Sequence, residues 1–307
     1  MYAIMGITGQ VGSATARHLL DNGQRIRAIV RNKTKAAAWV ARGAEVAVAD
    51  WGAEVAVADW SDTAALTAAF SDVEGVFVML PANFAPSPDF AEPRALVRTL
   101  TAALRQAQPP KVVALSSIGA QHDRDLGLIT QLHLLEKALD TLPMPRAHVR
   151  AAWFMENLRW DVALAQFEGR LVSYLQPLDR PIPMVSTDDI GRTIASTLIE
   201  TWFGRRVIEV EGPRRYSPLD MAQALAAVLE HDVEATAVPR EQWAARFEAE
   251  GMPADRTGPR IAMLDGFNSG WIGFEKGTTE HVSGHIPLGY VADELVSARP
   301  GVLESAA

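Results

Sequence analysis

The sequence predicts an α/β fold, a doubly wound parallel sheet with helices on both faces and a smaller C-terminal α/β domain for substrate. Three observations carry that expectation. A short apolar run meets a glycine-rich turn and then a helical pattern at the very start of the chain. Apolar strand-like runs and amphipathic stretches then alternate through the first half, as in repeated βαβ units. The strand-like runs are too continuously apolar for a sheet with one wet face, so both faces should be covered.

The 307 residues are 48% hydrophobic and 21% charged, enough for a substantial core in one large or two smaller domains. A net charge of −8 argues against a nucleic-acid partner, because neutralising phosphates needs a basic face. Cysteine is absent, which excludes disulfides, thiolate nucleophiles and Cys-ligated metals. The start MYAIMGITG lacks the basic and apolar regions of a secretory signal, and no run approaches the ~20 apolar residues of a membrane span. A cytoplasmic protein without a membrane partner is the expectation.

Tyr2 to Met5 read as strand one, and Ala14 to Asp21 as the first helix, closed by Asn22-Gly23. Between them lies Gly6-Ile7-Thr8-Gly9-Gln10-Val11-Gly12. Gly6 permits the tight turn, Gly9 admits a pyrophosphate to the backbone, and Gly12 lets helix pack on strand. With the helix amides aimed at the phosphates, this is a Rossmann-type dinucleotide site. The second strand, Arg25 to Val30, runs into Arg31, Lys33 and Lys35 with no carboxylate. An NAD-preferring site offers an acid there for the ribose hydroxyls; cations suit a 2′-phosphate instead, so NADP(H) is the expected cofactor.

Residues Gly43 to Trp51 recur unchanged as Gly52 to Trp60. A hairpin of the two copies would deliver the chain to the wrong end of the sheet for the helix at Thr63 to Phe70, so one copy should be strand three. Taking the second copy spares the cofactor cleft and sets Asp59 beside the adenine. The first copy then becomes a tolerated surplus, since lengthening a loop costs little.

Val76 to Leu80 read as strand four, followed by the stiff loop from Pro81 to Pro88 and a helix from Ala95 to Gln108. Lys111 to Leu115 read as strand five, ending on Ser116-Ser117-Ile118-Gly119. Together with the glycine turn, Ile29-Val30-Arg31-Asn32 and Lys35, these residues resemble the NmrA-like family of atypical short-chain dehydrogenases. Trp153-Phe154-Met155-Glu156-Asn157-Leu158, Ser186-Thr187-Asp188-Asp189-Ile190-Gly191 and Ile208 to Pro213 extend the resemblance over nearly the whole chain. It implies NADP(H) binding by Gly6, Thr8, Gly9, Gln10, Val11, Gly12, Arg31, Lys35, Asp59, Leu80, Pro81 and Ser116. It also implies a Rossmann domain over 1–152, rejoined by 186–212, and a smaller substrate domain from 153–185 and 213–307. The duplicated segment departs from the family pattern, which has one copy.

Ordinary short-chain dehydrogenases use Tyr-x-x-x-Lys, where the lysine eases the tyrosine's proton off. None of Tyr2, Tyr174, Tyr216 and Tyr290 has lysine four residues on, so that mechanism is excluded. His133 and Lys137 take its place, one helical turn apart, beside a stripe of Leu128, Leu132, Leu135 and Leu139. His133 is a candidate proton donor, Lys137 its neighbour, and Ser117 a candidate for polarising a substrate oxygen. A surface histidine and a strand-end serine are the plain alternatives. Phe84, Trp153, Phe154, Met155, Asn157, Trp160 and Tyr174 are the candidate pocket, suited to a small, flat aromatic acceptor. About half of them should be core instead. His281 and His285 have metal-ligand spacing but no third ligand, so no metal is expected.

The sequence therefore supports an NADPH-dependent reductase of a quinone, azo or triphenylmethane dye, with a non-catalytic NADP(H) sensor as the alternative. A lignan-type reductase lacks its lysine or tyrosine in a clear place. The oligomeric state is open, a homodimer being one option.

Overall fold

A computed structural model describes residues 1–30, 62–275, 277 and 279–298, and the backbone of 54–57. Eight parallel strands form the main sheet, in the order β12-β10-β6-β5-β4-β1-β2-β3. They are β1 (Tyr2–Met5), β2 (Ile26–Val30), β3 (Glu54–Val57), β4 (Gly75–Val78), β5 (Val112–Ser117), β6 (Arg146–Ala151), β10 (Arg205–Glu211) and β12 (Glu280–Ser283). The order places the reversal of winding between β1 and β4, where a crevice opens at the carboxyl ends of the strands. β1 and β4 are buried at every position, which explains their unbroken apolar sequence.

The helices packed on this sheet are α1 (Gln10–Asp21), α2 (Thr63–Phe70), α3 (Ala91–Ala107), α4 (Thr130–Leu139) and α6 (Thr187–Ile199). Asp62 caps α2 by accepting from the Ala65 amide, at 3.0 Å. On one face, α1 and α6 pack together so closely that a Cβ on Gly191 would lie 2.5 Å from Ala14 Cβ. At the other end of α6, Lys111 donates to the carbonyl of Leu198 at 2.7 Å and to that of Glu200, a side-chain cap delivered from the start of β5.

The second lobe contains α5 (Arg159–Glu168), α7 (Pro218–Leu229), α8 (Trp243–Ala249), α9 (Gly258–Ser269) and α10 (Leu288–Ser297). Two short parallel pairs join it: β7 (Trp153–Phe154) with β9 (Met184–Val185), and β8 (Arg170–Ser173) with β11 (Glu234–Ala237). Trp243, Phe247, Leu225 and Leu158 are among its most buried side chains.

Strand three is the second copy of the duplicated segment, as expected: Arg27 to Val30 align with Glu54 to Val57. The first copy lies outside the described residues. Other boundaries moved. α1 starts at Gln10 rather than Ala14, and α3 at Ala91 rather than Ala95. β4 stops at Val78, whereas β5 continues through Ser117. β12 joins the main sheet beside β10, although the sequence assigned everything after 213 to the smaller domain. Its four residues, Glu-His-Val-Ser, carry one apolar side chain, so no buried-strand pattern announces it.

Candidate active site

The loops after β1, β4, β5 and β6 meet at the carboxyl edge of four adjacent strands. After β1 the chain turns at Gly6, whose φ of +67° suits glycine. The Gly9 amide donates back to the Gly6 carbonyl at 2.8 Å. A Cβ on Gly12 would lie 2.1 Å from that same carbonyl oxygen, so only glycine fits. Gly9 supplies no side-chain cap to α1, and no acidic residue occupies its first turn. Its first amides thus keep their capacity for an anion. Thr8 is exposed in this turn, Gln10 is half-buried, and Val11 is in the core. Leu80 and Pro81 lie half-buried past the end of β4, next to Met79, whose sulfur packs against Gly6. The cradle fits a dinucleotide diphosphate. Arg31, Lys35 and Asp59 fall outside the described residues.

The Ser116 side chain, expected at the cofactor, faces α4 instead. It is buried and donates to Glu136 Oε1 at 2.5 Å. Glu136 in turn grips Arg150 of β6. Ser116, Arg150 and Glu209 stand at one register of three neighbouring strands, so their side chains share a face. Arg150 Nη1 lies 2.9 Å from Glu275 Oε2 and 3.7 Å from Glu209 Oε1. Glu209 also accepts from the Glu275 amide at 2.9 Å and from Thr279 Oγ1 at 3.0 Å. Burial pushes the Glu136 carboxyl up, but Arg150, His148 and Ser116 outweigh it and hold it below the usual range. This polar ladder lies one residue beneath the strand ends and escaped the sequence reading. Its signal is the charge inside strand-like runs: His148 and Arg150 in RAHVRA, and Glu209 in RRVIEVE.

Ser117, one residue on, is half-buried at the strand end with its hydroxyl 3.2 Å from the Ile118 carbonyl. His133 is half-buried on α4, and its Nδ1 lies 2.9 Å from the carbonyl of Ala120. A carbonyl only accepts, so Nδ1 carries the proton and Nε2 is the nitrogen left to exchange one. Lys137 is exposed, while Glu136 between them is buried. Of the leucine stripe, Leu128, Leu135 and Leu139 are buried and Leu132 is half-buried.

The candidate pocket residues separate. Phe84 and Trp160, 50% and 62% exposed, meet edge to face with centroids 6.0 Å apart. Trp153 is half-buried against Phe267, at 5.2 Å, and Phe154 is half-buried against the main core. Asn157 is half-buried in the short turn before α5. Met155 is 1% exposed and packs in the core of the second lobe, its terminal methyl against Gly212. Tyr174 packs on Trp243 and Phe247, with its hydroxyl toward Glu250. Those two pack inward because the second lobe needs large apolar volumes of its own. His281 pairs with Glu211 at 2.9 Å.

Glu156 explains the FMENL stretch. Its Oε1 accepts from both the amide and the hydroxyl of Thr187, each at 2.7 Å, joining that turn to the start of α6. Burial pushes this carboxyl up despite those bonds. At the same helix end, Asp189 Oδ2 accepts the His285 and Ile286 amides at 3.1 and 3.0 Å, binding the chain after β12. A Cβ on Gly284 would lie 2.4 Å from that oxygen.

Known proteins resemble this chain in sequence and share its fold. The NAD(P)H azoreductase of Xenophilus azovorans is 26% identical over 253 residues, 82% of this chain and 82% of its own length. Quinone oxidoreductase 2 of Escherichia coli (strain K12) is 26% identical over 288 residues, 93% of this chain and 94% of its own. The structure of the Citrobacter sp. triphenylmethane reductase shares the fold, with a TM-score of 0.75 and 21% identity over 97% of this chain and 99% of that one. The NADPH complex of the E. coli quinone oxidoreductase gives a TM-score of 0.71 at 23% identity, over 96% of this chain and 99% of that one. The profile of the NmrA-like family matches residues 2–256, through the glycine turn, the FMENL stretch and the α6 start, and the chain belongs to that family.

Proposed function

We propose that the protein is an NADPH-dependent oxidoreductase that reduces a small, apolar aromatic acceptor of the quinone, azo or triphenylmethane dye type. The observation that carries the acceptor class is the Phe84–Trp160 pair. Two large rings, one in the loop after β4 and one in the first turn of α5, stay half-exposed against each other instead of closing into the core. Flat aromatic ligands gain most from such edges and faces. The azoreductase and quinone oxidoreductase relatives support the same class.

Bound NADPH would supply the hydride. The turn from Gly6 to Gly12 would hold the diphosphate with backbone amides, with Leu80 and Pro81 bordering it. Arg31 and Lys35 would supply the cations for a 2′-phosphate. Ser117 orients the reacting end. His133, its Nδ1 tied to Ala120, presents Nε2 for proton exchange, and exposed Lys137 favours a nearby anion. Acceptors that delocalise the incoming charge need positioning more than a strong acid, so the missing Tyr-x-x-x-Lys costs little.

The test follows NADPH oxidation by absorbance against a panel of quinones, azo dyes and triphenylmethane dyes, with NADH in parallel. Turnover with NADPH and far less with NADH is expected. Tight NADP binding with no turnover on any acceptor would replace this reading with a cofactor sensor.

A further inference from the structure

We propose that Gln131 and Arg256 are specificity-determining positioning residues, which fix Phe84 as a rigid wall of the acceptor subsite by holding the main chain on both sides of it. The inference rests on the reading of the site as one for an aromatic acceptor, and goes beyond it by assigning roles to two residues outside the pocket.

Phe84 lies in the irregular loop between β4 and α3, half-exposed and in edge contact with the exposed Trp160 ring, so the main chain beside it must fix its position. Its two neighbours are each anchored, by different parts of the molecule. On one side, the Asn83 carbonyl accepts from Gln131 Nε2 at 3.0 Å. Gln131 is buried on α4, two residues before His133, and also donates to the Leu128 carbonyl at 3.2 Å. On the other side, the Ala85 carbonyl accepts from Arg256 Nη1 at 3.0 Å. Arg256 belongs to the second lobe, in the short turn Ala254–Arg256. The same nitrogen reaches Glu92 Oε1 at 2.9 Å, and Glu92 Oε2 accepts the amide and hydroxyl of Ser87 at 3.0 and 2.5 Å. Asn83 Oδ1 accepts the Ala85 amide at 3.1 Å, closing a turn around Phe84 itself. Pro86 and Pro88 stiffen what remains of the loop.

The ring is therefore held between the helix that carries His133 and the lobe that carries Trp160. A wall ordered before binding spares the ligand the entropy of ordering it. Loosening either anchor should weaken acceptor binding far more than cofactor binding, because the backbone amides of the Gly6–Gly12 turn lie outside this loop and both anchors act beyond Leu80 and Pro81.

The experiment compares Q131A, R256A and R256K with the wild type. It measures KM and kcat on the best aromatic acceptor, the Kd for NADPH by fluorescence titration, and backbone hydrogen exchange over residues 82–90. Q131A and R256A should each raise the acceptor KM about tenfold and quicken exchange, with kcat and NADPH Kd within about twofold. R256K, lacking the guanidinium fork, should fall between R256A and wild type. Unchanged KM in variants whose loop exchange has quickened would overturn the proposal, as would a parallel loss of NADPH affinity in both folded alanine variants. The two anchors sit on different lobes, so if one variant fails to fold the other decides. A wild type that neither reduces nor binds any aromatic acceptor would instead bring down the functional reading, and this proposal with it.

Discussion

Arg150 and Glu136 form a bidentate ion pair, Nε to Oε1 at 2.9 Å and Nη2 to Oε2 at 2.8 Å, with the two residues only 2% and 4% exposed. The pair fastens α4 to β6, and Ser116 extends it to β5. The surface of α4 that carries His133 thus keeps a fixed height above the strand ends.

Removing one partner of a buried pair strands the other, at a cost of roughly 3–5 kcal/mol. The two halves should differ here. Glu136→Gln leaves Arg150 with Glu275 at 2.9 Å and Glu209 at 3.7 Å. Arg150→Met leaves Glu136 and Glu209 buried without the arginine they share, Glu136 keeping, among the described residues, only the half-exposed Arg205 at 3.9 Å as a salt-bridge partner. Arg150→Met should therefore be the more destabilising in urea unfolding. The pH dependence should also invert between parent and variant. In the wild type the Glu136 carboxyl is held below its usual range, so its stabilisation is present above the unfolded pKa and lost on acidification. In Arg150→Met the burial that pushes the Glu136 carboxyl up is opposed by fewer partners, so acidification should restore stability. Equal losses with parallel pH profiles would show that the pair does not fasten α4.

Two glycines allow cofactor binding and packing to be told apart. Gly12→Ala forces a Cβ to within 2.1 Å of the Gly6 carbonyl oxygen and 2.8 Å of the Ile7 nitrogen, all backbone. The turn must open, and NADPH affinity should fall more than tenfold. Gly191→Ala drives a Cβ to 2.5 Å from Ala14 Cβ and 2.7 Å from the Thr15 nitrogen, prising α6 from α1. That overpacking should cost about 1–3 kcal/mol of stability with a smaller effect on NADPH affinity. The pair of measurements, cofactor titration and thermal melting, should rank the two variants in opposite order.

Much of this was legible in the sequence, for a physical reason: backbone demands leave strong traces. Gly6 and Gly12 announce the turn because a positive φ at one and a backbone contact at the other exclude a side chain, and the buried runs of β1 and β4 announce the sheet. The second copy of the duplicated segment is strand three because only it meets the helix capped by Asp62. Side-chain partnerships leave weaker traces. Ser116 reads as a strand-end ligand group until Glu136 is seen to accept its hydrogen bond, and nothing local in EVEG or LHLLEK says that Glu209 and Glu136 converge on one arginine. Met155 and Tyr174 look like pocket walls for the same chemistry that makes them good core, and the packing of the second lobe decides which they become.

Asp161, in the first turn of α5 beside Trp160, has its carboxyl pushed up to about 7 by desolvation. Its folded pKa lies above the unfolded 3.8, so the native state holds the proton more tightly. The contribution of Asp161 to stability should thus be greatest below about pH 4, decline as pH rises toward 7, and level off above that. Asp161→Asn keeps the shape and removes the ionisation. It should raise stability at pH 8 by a few kcal/mol, on the order of 2–4, with little change at pH 4. Urea midpoints at the two pH values would settle it. A variant less stable than wild type at pH 8 would mean that the carboxylate is solvated or partnered when ionised.

Deleting Gly43 to Trp51 yields the same polypeptide as deleting Gly52 to Trp60, because the copies are identical. The shortened chain keeps one Glu-Val-Ala-Val run to align with Arg27 to Val30, and keeps Asp62 to cap the helix that follows. The sheet edge and the cofactor side of the crevice can therefore both be rebuilt from a single copy. Loop-closure entropy varies only with the logarithm of length, so the shorter connection should change stability by less than about 1 kcal/mol. NADPH affinity should stay within about twofold of the parent, read by fluorescence titration. A loss of tenfold or more, with the melting temperature retained, would instead mean that the first copy contributes to the cofactor site.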